Sequence, residues 1–245
     1  MNPIYSADRS LKGKLRRRLA RLRHRRSLVD LPEGPIVSFT FDDAPASSRE
    51  HGAPILEASG SLGTWYVCAG LCGQDSHMGR FLDHDEIADL AARGHEIACH
   101  TYSHLDCGRA LPDATGEDCE RNREALARKG FDLRHFAYPY GEVSASAKAM
   151  LGAHYGSMRA LHPGLVKAGS DRNQLPAVGI EGADGLDRAR RWIDRAVQER
   201  AWLILYSHDV RESPSDFGCT PGTLEKLVSH AKASGARIAR VGDVI

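Results

Sequence analysis

Ser38-Phe39-Thr40-Phe41-Asp42-Asp43 is the stretch on which both the fold and the chemistry turn. Val37, Phe39 and Phe41 alternate with Ser38 and Thr40, the period-2 pattern of a strand, and Ala44-Pro45 stops it. Two adjacent carboxylates therefore stand at the C-terminal tip of a buried strand. Neighbouring residues of an extended chain point to opposite sides, so Asp42 and Asp43 can do different work only if the chain twists as it leaves the strand. One could then hold a metal while the other handles protons.

Working outward, Gly94-His95-Glu96-Ile97-Ala98-Cys99-His100-Thr101-Tyr102-Ser103-His104 reads as a short strand running into His-x-x-x-His. That spacing predicts two imidazoles on one face of a helical turn. With one carboxylate they make three protein ligands and an open fourth position, the arrangement of a catalytic rather than a structural zinc site. The spacing is weak evidence alone and gains force from the Asp-Asp tip upstream.

Around these stretches, strands are predicted near 36–41, 62–68, 96–99, 133–138, 155–159, 175–180, 202–206 and 236–240. Helices are predicted at 84–93, 116–129, 186–199 and 221–234, with Gly94, Gly130 and Gly235 as stops. The alternation is βα repetition with right-handed crossovers. Asp42, His100, Tyr140 and His208 all follow strand segments, and a barrel gathers such ends into one mouth.

A chain of 245 residues can bury a single large core, and 42% hydrophobic with 27% charged residues is ordinary for a globular protein. No apolar run approaches the ~18 residues of a membrane span, and no secretory signal is visible, so a cytoplasmic location is expected. Cys68, Cys72, Cys99, Cys107, Cys119 and Cys219 lack metal-site spacing and are read as free thiols. Residues 1–30 carry ten Lys or Arg against two Asp, while residues 31–245 carry 23 against 30, a basic arm on an acidic domain. Leu11, Leu15, Leu19 and Leu22 fall within about 80° on a helical wheel, with arginines elsewhere around it. Three readings of residues 11–26 stand open: a helix docked on the domain, an anchor on an anionic membrane surface to which the protein would be peripheral, or a nucleic-acid arm, which the absence of interleaved aromatics disfavours.

Two further stretches, Phe136-Ala137-Tyr138-Pro139-Tyr140-Gly141 and Leu205-Tyr206-Ser207-His208, complete a set of four in order. Together they resemble the motifs of the NodB-homology polysaccharide deacetylases, carbohydrate esterase family 4, over residues 35–245. The resemblance implies a distorted (β/α)7 barrel comprising residues 31–245. It also implies a metal-dependent hydrolase that removes N-acetyl groups from an amino sugar in an oligosaccharide, polysaccharide or lipid-linked glycan. In it Asp43, His100 and His104 would hold the metal, Asp42 would be the base and His208 the acid. Pro139-Tyr140 would bring a backbone N–H to the oxyanion. The donor set suits Zn²⁺, with Co²⁺ and Ni²⁺ as alternatives, better than calcium or magnesium. Alternatives on the same scaffold are an O-acetyl carbohydrate esterase and an inactive carbohydrate-binding member. Two departures stand out. Ala137 occupies the place of an Arg that contacts the catalytic Asp; Arg159, with Arg172 as fallback, is predicted to replace it in space. The family's fourth motif, Asp-x-x-Asp-Trp in many members, survives only loosely as Glu181-Gly182-Ala183-Asp184-Gly185-Leu186-Asp187, with Arg188 in place of Trp, leaving Asp184 or Asp187 as the candidate to keep His208 charged.

Overall fold

β1 (Ile36–Asp42) is buried along its whole length, because the computed structural model, which describes residues 10–245, places it between layers on both faces. Val37, Phe39 and Phe41 pack outward against helices in one core that also holds Leu56, Ile193 and Leu224. Ile36 faces the other way, into a cluster with Leu175, Trp202, Ile204 and Tyr206. Ser38 and Thr40 are tolerated inside because they are satisfied: Ser38 donates to the Ala239 carbonyl (2.7 Å) and accepts from Trp202 Nε1 (2.9 Å), while Thr40 donates to the Leu205 carbonyl (2.9 Å).

The other strands follow as β2 (Thr64–Val67), a two-residue hairpin of β3 (Asp75–Ser76) and β4 (Gly79–Arg80), β5 (Glu96–Cys99), β6 (His135–Ala137), β7 (Ser157–Arg159), β8 (Val178–Gly179), β9 (Trp202–Ser207) and β10 (Arg237–Ile238). Apart from the hairpin they form one parallel sheet in the order β7-β6-β5-β2-β1-β9-β8, with β10 added beside the start of β1. The outer edges approach each other through the segment before β8. Met158 N–H donates to the Arg172 carbonyl, Leu175 N–H to that of Met158 and Ala160 N–H to that of Leu175 (2.8–2.9 Å), while Val178 and Gly179 pair with β9. The result is the curled, distorted (β/α)7 barrel that the resemblance implies.

Seven α-helices accompany the sheet among the described residues: α1 (Leu11–Leu22), α2 (Ala53–Ala58), α3 (His84–Ala92), α4 (Pro112–Ala127), α5 (Ala145–Leu151), α6 (Gly185–Gln198) and α7 (Pro221–Ala233). α4 starts four residues earlier than its apolar pattern suggests, with Pro112 in the first turn, where a missing N–H costs nothing. α1 is docked, not free: its buried residues are Gly13 and Ala20, and Lys148 of α5 donates to the Ala20 carbonyl (2.6 Å). The basic arm read over residues 1–30 includes residues 1–9, which lie outside the described part. Among the described residues no helix is long and apolar enough to cross a membrane. All six cysteines are free thiols.

Candidate metal centre and active site

Asp43 leaves β1 with φ +59° and Ala44 follows at +52°. This left-handed step is the twist that separates the two acids: Asp42 meets groups of the barrel interior, and Asp43 meets the loop after β5. His104, Thr101 and Tyr140 also have φ near +60°, so five of the seven non-glycine residues with positive φ among the described residues lie in these mouth segments. Each such residue costs roughly 1–3 kcal/mol and persists only where the surroundings dictate it.

The loop from His100 to His104 corrects the expected helical turn. It is irregular, and α4 shapes it: Asp118 accepts from Tyr102 N–H (2.7 Å), Ser103 N–H (3.0 Å) and the Ser103 hydroxyl (2.8 Å). Leu105 N–H closes the loop onto Thr101 Oγ1 (2.9 Å). Asn122, one helical turn beyond Asp118, ties α4 to the strand ends by bonds with Ala69 N–H and the Val67 carbonyl.

This loop brings the His100 and His104 Nε2 atoms to 3.4 and 3.1 Å from Asp43 Oδ1. The donor atoms of the three residues lie within 4.8 Å of one another. His100 Nδ1 stands 2.8 Å from the Ala137 carbonyl, which fixes Nδ1 as the N–H and leaves the Nε2 lone pair facing Asp43. Burial holds the His100 pKa down, to about 4, so the ring is neutral, the form that ligates metal. Asp43 Oδ1 is buried and has no hydrogen-bond partner among the described residues. An orphaned carboxylate oxygen facing imidazole nitrogens costs free energy unless a cation sits among them, so these residues fit a divalent ion.

Asp42 is 2% and Arg159 1% exposed, and Arg159 Nη2 donates to Asp42 Oδ1. The guanidinium lies between two aromatic rings, its carbon 4.9 Å from the centre of Tyr66 and 5.5 Å from that of Tyr206. Its route is set by register: Arg159 pairs directly with Ala137 on β6, so the small residue in the place of the missing Arg lies level with the Arg on the next strand. Burial alone would raise the Asp42 pKa, but the Arg159 guanidinium above all, with lesser help from the neighbouring His100 and His208 rings once protonated, holds it below the ordinary carboxylate value. Arg172 is elsewhere. Its Nε bonds to the Gly156 carbonyl (2.7 Å), at the opposite end of β7, because the segment carrying it runs alongside that strand.

Pro139–Gly141 form a single turn after β6. The Tyr140 ring sits edge-on to His104, with centroids 4.3 Å apart. Burial, reinforced by Asp43, raises its phenol pKa to about 12, so it stays neutral. Gly141 completes the turn at φ +66°, and a Cβ there would come within 2.7 Å of Leu161.

His208 follows β9 half-buried, its Nδ1 3.1 Å from the Phe217 carbonyl. Asp184 and Asp187 do not reach it. Both are exposed at the start of α6, where Asp184 pairs with Arg188 (2.6 Å), because the first turn of that helix faces outward. The carboxylate brought into this part of the barrel is instead Glu181, whose Oε1 accepts from the Tyr206 hydroxyl (3.0 Å). Burial raises its pKa, against the opposing influence of His208 and the Tyr206 bond. Gly179 leaves the space, since a Cβ there would meet Tyr206 at 2.9 Å and Glu181 at 3.0 Å. Glu181 opens the loose fourth motif, where the resemblance points to an Asp. Asp118 and Asn122 could have been noticed as polar residues on the buried stripe of α4.

Asp42, Asp43, His100, His104, Tyr140, Arg159, Glu181 and His208 all lie at or just beyond the C-terminal ends of strands. A cleft of about 400 Å³ lined by His95, Glu96, His135 and Arg240 opens at the other end, and its position excludes it from this chemistry.

Comparison with solved structures gives the same architecture. The chitin deacetylase of Colletotrichum lindemuthianum superposes with a TM-score of 0.64 at 19% identity, over 88% of this chain and 89% of that one. A polysaccharide deacetylase homologue from Mycobacterium smegmatis gives 0.62 at 17% identity over 89% and 92%. The Bc1960 peptidoglycan N-acetylglucosamine deacetylase gives 0.58 at 18% identity over 87% and 91%. No curated protein matches the chain. Residues 31–155, half of the 245, match the family model described as polysaccharide deacetylase, and with Asp42, Asp43, His100, His104 and Tyr140 all inside that span the chain belongs to the polysaccharide deacetylase family.

Proposed function

We propose that this chain is a metal-dependent hydrolase that removes N-acetyl groups from an amino sugar in an oligosaccharide, polysaccharide or lipid-linked glycan. The observation that carries the reading is the pairing of two separate acid sites one residue apart: Asp43 facing two imidazoles, and Asp42 buried against Arg159. Asp43, His100 and His104 would hold a divalent ion, zinc before cobalt or nickel by donor type. When bound, that ion supplies an acidified water and a positive charge for the carbonyl oxygen. Asp42 accepts the proton of the attacking water, and Arg159 keeps its carboxylate ionised and oriented. The Tyr140 backbone N–H, presented by the left-handed turn after Pro139, would donate to the developing oxyanion. His208 donates a proton to the leaving amine from Nε2, its Nδ1–H being held on the Phe217 carbonyl. Amide cleavage needs such an acid, because an amide anion is a poor leaving group.

Acetate release tests this. Chitin oligosaccharides, peptidoglycan fragments and O-acetylated xylan, which cover the substrates of structural neighbours and the esterase alternative, are assayed with and without chelator. Release from N-acetyl substrates that chelator stops and zinc restores is expected. Release from O-acetyl substrates alone would make the chain an esterase. The absence of any release would favour an inactive binding member, against which Arg159 argues, since a binding module needs no oriented base.

His208→Ala is expected to lower N-acetyl turnover by roughly 10²-fold or more with bound metal unchanged. The loss on an O-acetyl ester should be much smaller, because an alkoxide departs more readily than an amide anion. Equal rates for parent and variant on the N-acetyl substrate would remove His208 as the acid.

A further inference from the structure

α1 is docked by the wrong face for an ordinary amphipathic helix. At 100° per residue, Gly13 and Ala20, its buried positions, lie nearly opposite the leucine stripe. Leu11, Leu15, Leu19 and Leu22 are 84%, 58%, 41% and 68% exposed and make up four of the six large exposed hydrophobics among the described residues. Such a stripe normally turns inward. Here ion pairs hold it outward: Arg16 and Arg17 bond to Glu142, itself 1% exposed, at 2.8 and 2.6 Å. Beyond α1, Arg26 donates to the Gly152, Tyr155 and Gly156 carbonyls, so the orientation is fixed at both ends. Exposed cations flank the stripe, Lys12 and Arg23 on one side and Lys14, Arg18 and Arg21 on the other.

We infer that α1 is a surface helix that lays its leucines into the interface of an anionic lipid bilayer. An apolar stripe of this width bordered on both sides by Lys and Arg matches a lipid surface, where leucines enter the acyl boundary and cations meet anionic headgroups. A second copy of the chain would bring like charges together along the same borders. The helix also sits beside the mouth: Glu142 lies two residues past Tyr140, and a Cβ at Gly108, four residues past His104, would be 3.2 Å from Arg16 Nε. Membrane contact would therefore set the mouth against the bilayer. Resting on the proposed deacetylase reading, this narrows the substrate to an acetylated glycan held at a membrane.

The test uses the full chain and its Leu15→Glu/Leu19→Glu variant, whose altered side chains are exposed and outside the site. Cosedimentation is measured with phosphatidylcholine vesicles containing or lacking phosphatidylglycerol. The parent should bind the anionic vesicles, release them as salt rises and bind the neutral ones at least ~10-fold more weakly. The variant should lose at least ~10-fold in partitioning and keep the parent's turnover of a soluble acetylated oligosaccharide. Equal partitioning by parent and variant, or no partitioning by the parent, overturns the proposal. So does a parent that runs as a dimer dispersed by the variant and ignores vesicles. Vesicle binding is read without turnover, so a catalytically silent chain that still binds would reject the deacetylase reading and leave this one standing.

Discussion

His104→Ala is expected to strip the protein of its metal and reduce turnover to that of the chelator-treated parent. Three protein donors hold the proposed ion, so losing one leaves a two-ligand site. The affinity loss should exceed the ~10- to 100-fold typical of losing a mere outer partner of a ligand. His104 is the informative choice among the ligands. His100 is fully buried and hydrogen-bonded to β6, so its removal would disturb the barrel, whereas the His104 side chain is 16% exposed on a loop that Asp118 and Thr101 shape independently. Elemental analysis of purified protein should show one zinc or cobalt in the parent and none in the variant. A thermal shift gives a second readout, since an ion that binds only the native state raises its midpoint: added zinc should raise that of the parent and leave that of the variant unmoved. A variant that retains the ion with parental affinity would sink the three-ligand assignment.

The barrel was legible because its strands announce themselves in period 2 and its helices in period 3.6. The predicted strand at 96–99 coincides with β5, and that at 36–41 stops one residue short of β1. Shorter elements were not legible. α2 is six residues and α5 seven, too brief for a helical period to emerge from their polar flanks, and the β3–β4 hairpin pairs only two residues per strand. Barrel closure depends on residues 172–175 adding to β7, an edge pairing that leaves no local pattern.

Within the site, residue types were readable and their backbone was not. Asp43, Thr101, His104 and Tyr140 take left-handed conformations that sequence signals only where glycine stands. The loop from His100 to His104 therefore looked helical by spacing, while its shape is imposed from α4 by Asp118. The face of α1 was illegible for a similar reason. The leucine stripe said which side is apolar, but the docking side was chosen by partners far along the chain, at Glu142 and Lys148. Arg159 is the opposite case. A buried acid beside a candidate metal site profits from a cation, and Arg159, at a strand end aimed at the same mouth, supplies one.

Arg159→Met should produce the largest change in stability together with a selective loss of rate. Methionine matches most of the arginine stem and can still pack between Tyr66 and Tyr206, so the main loss is the charge. That leaves the Asp42 carboxylate buried without its cation, and breaking a buried pair in this way costs about 3–5 kcal/mol. At 2–4 °C per kcal/mol for a domain of this size, the melting midpoint should fall by roughly 10 °C. The effect has a pH sign. The folded-state pKa of Asp42 lies below the ordinary carboxylate value of 3.8, so the pair stabilises the protein above that value and its contribution fades as pH falls through the folded pKa. Burial is already the largest single influence on Asp42, and without Arg159 the neighbouring charges no longer outweigh it, so the charged form turns destabilising. In chelator-treated protein the gap in midpoint between parent and variant should therefore be widest near neutrality and narrow on acidification, first as Asp42 of the variant takes up its proton above the ordinary carboxylate value and then as the pair of the parent is lost below it. Turnover should fall while bound zinc stays at one per chain, because Arg159 pairs with Asp42, the proposed base, and makes no ion pair with Asp43, a proposed ligand. Arg159→Lys restores the charge without the planar fork, so it should recover most of the stability and only part of the rate. An Arg159→Met protein with parental midpoint and turnover would mean that Asp42 needs no cation. A fall in midpoint with unchanged turnover would reduce Arg159 to a structural counter-ion.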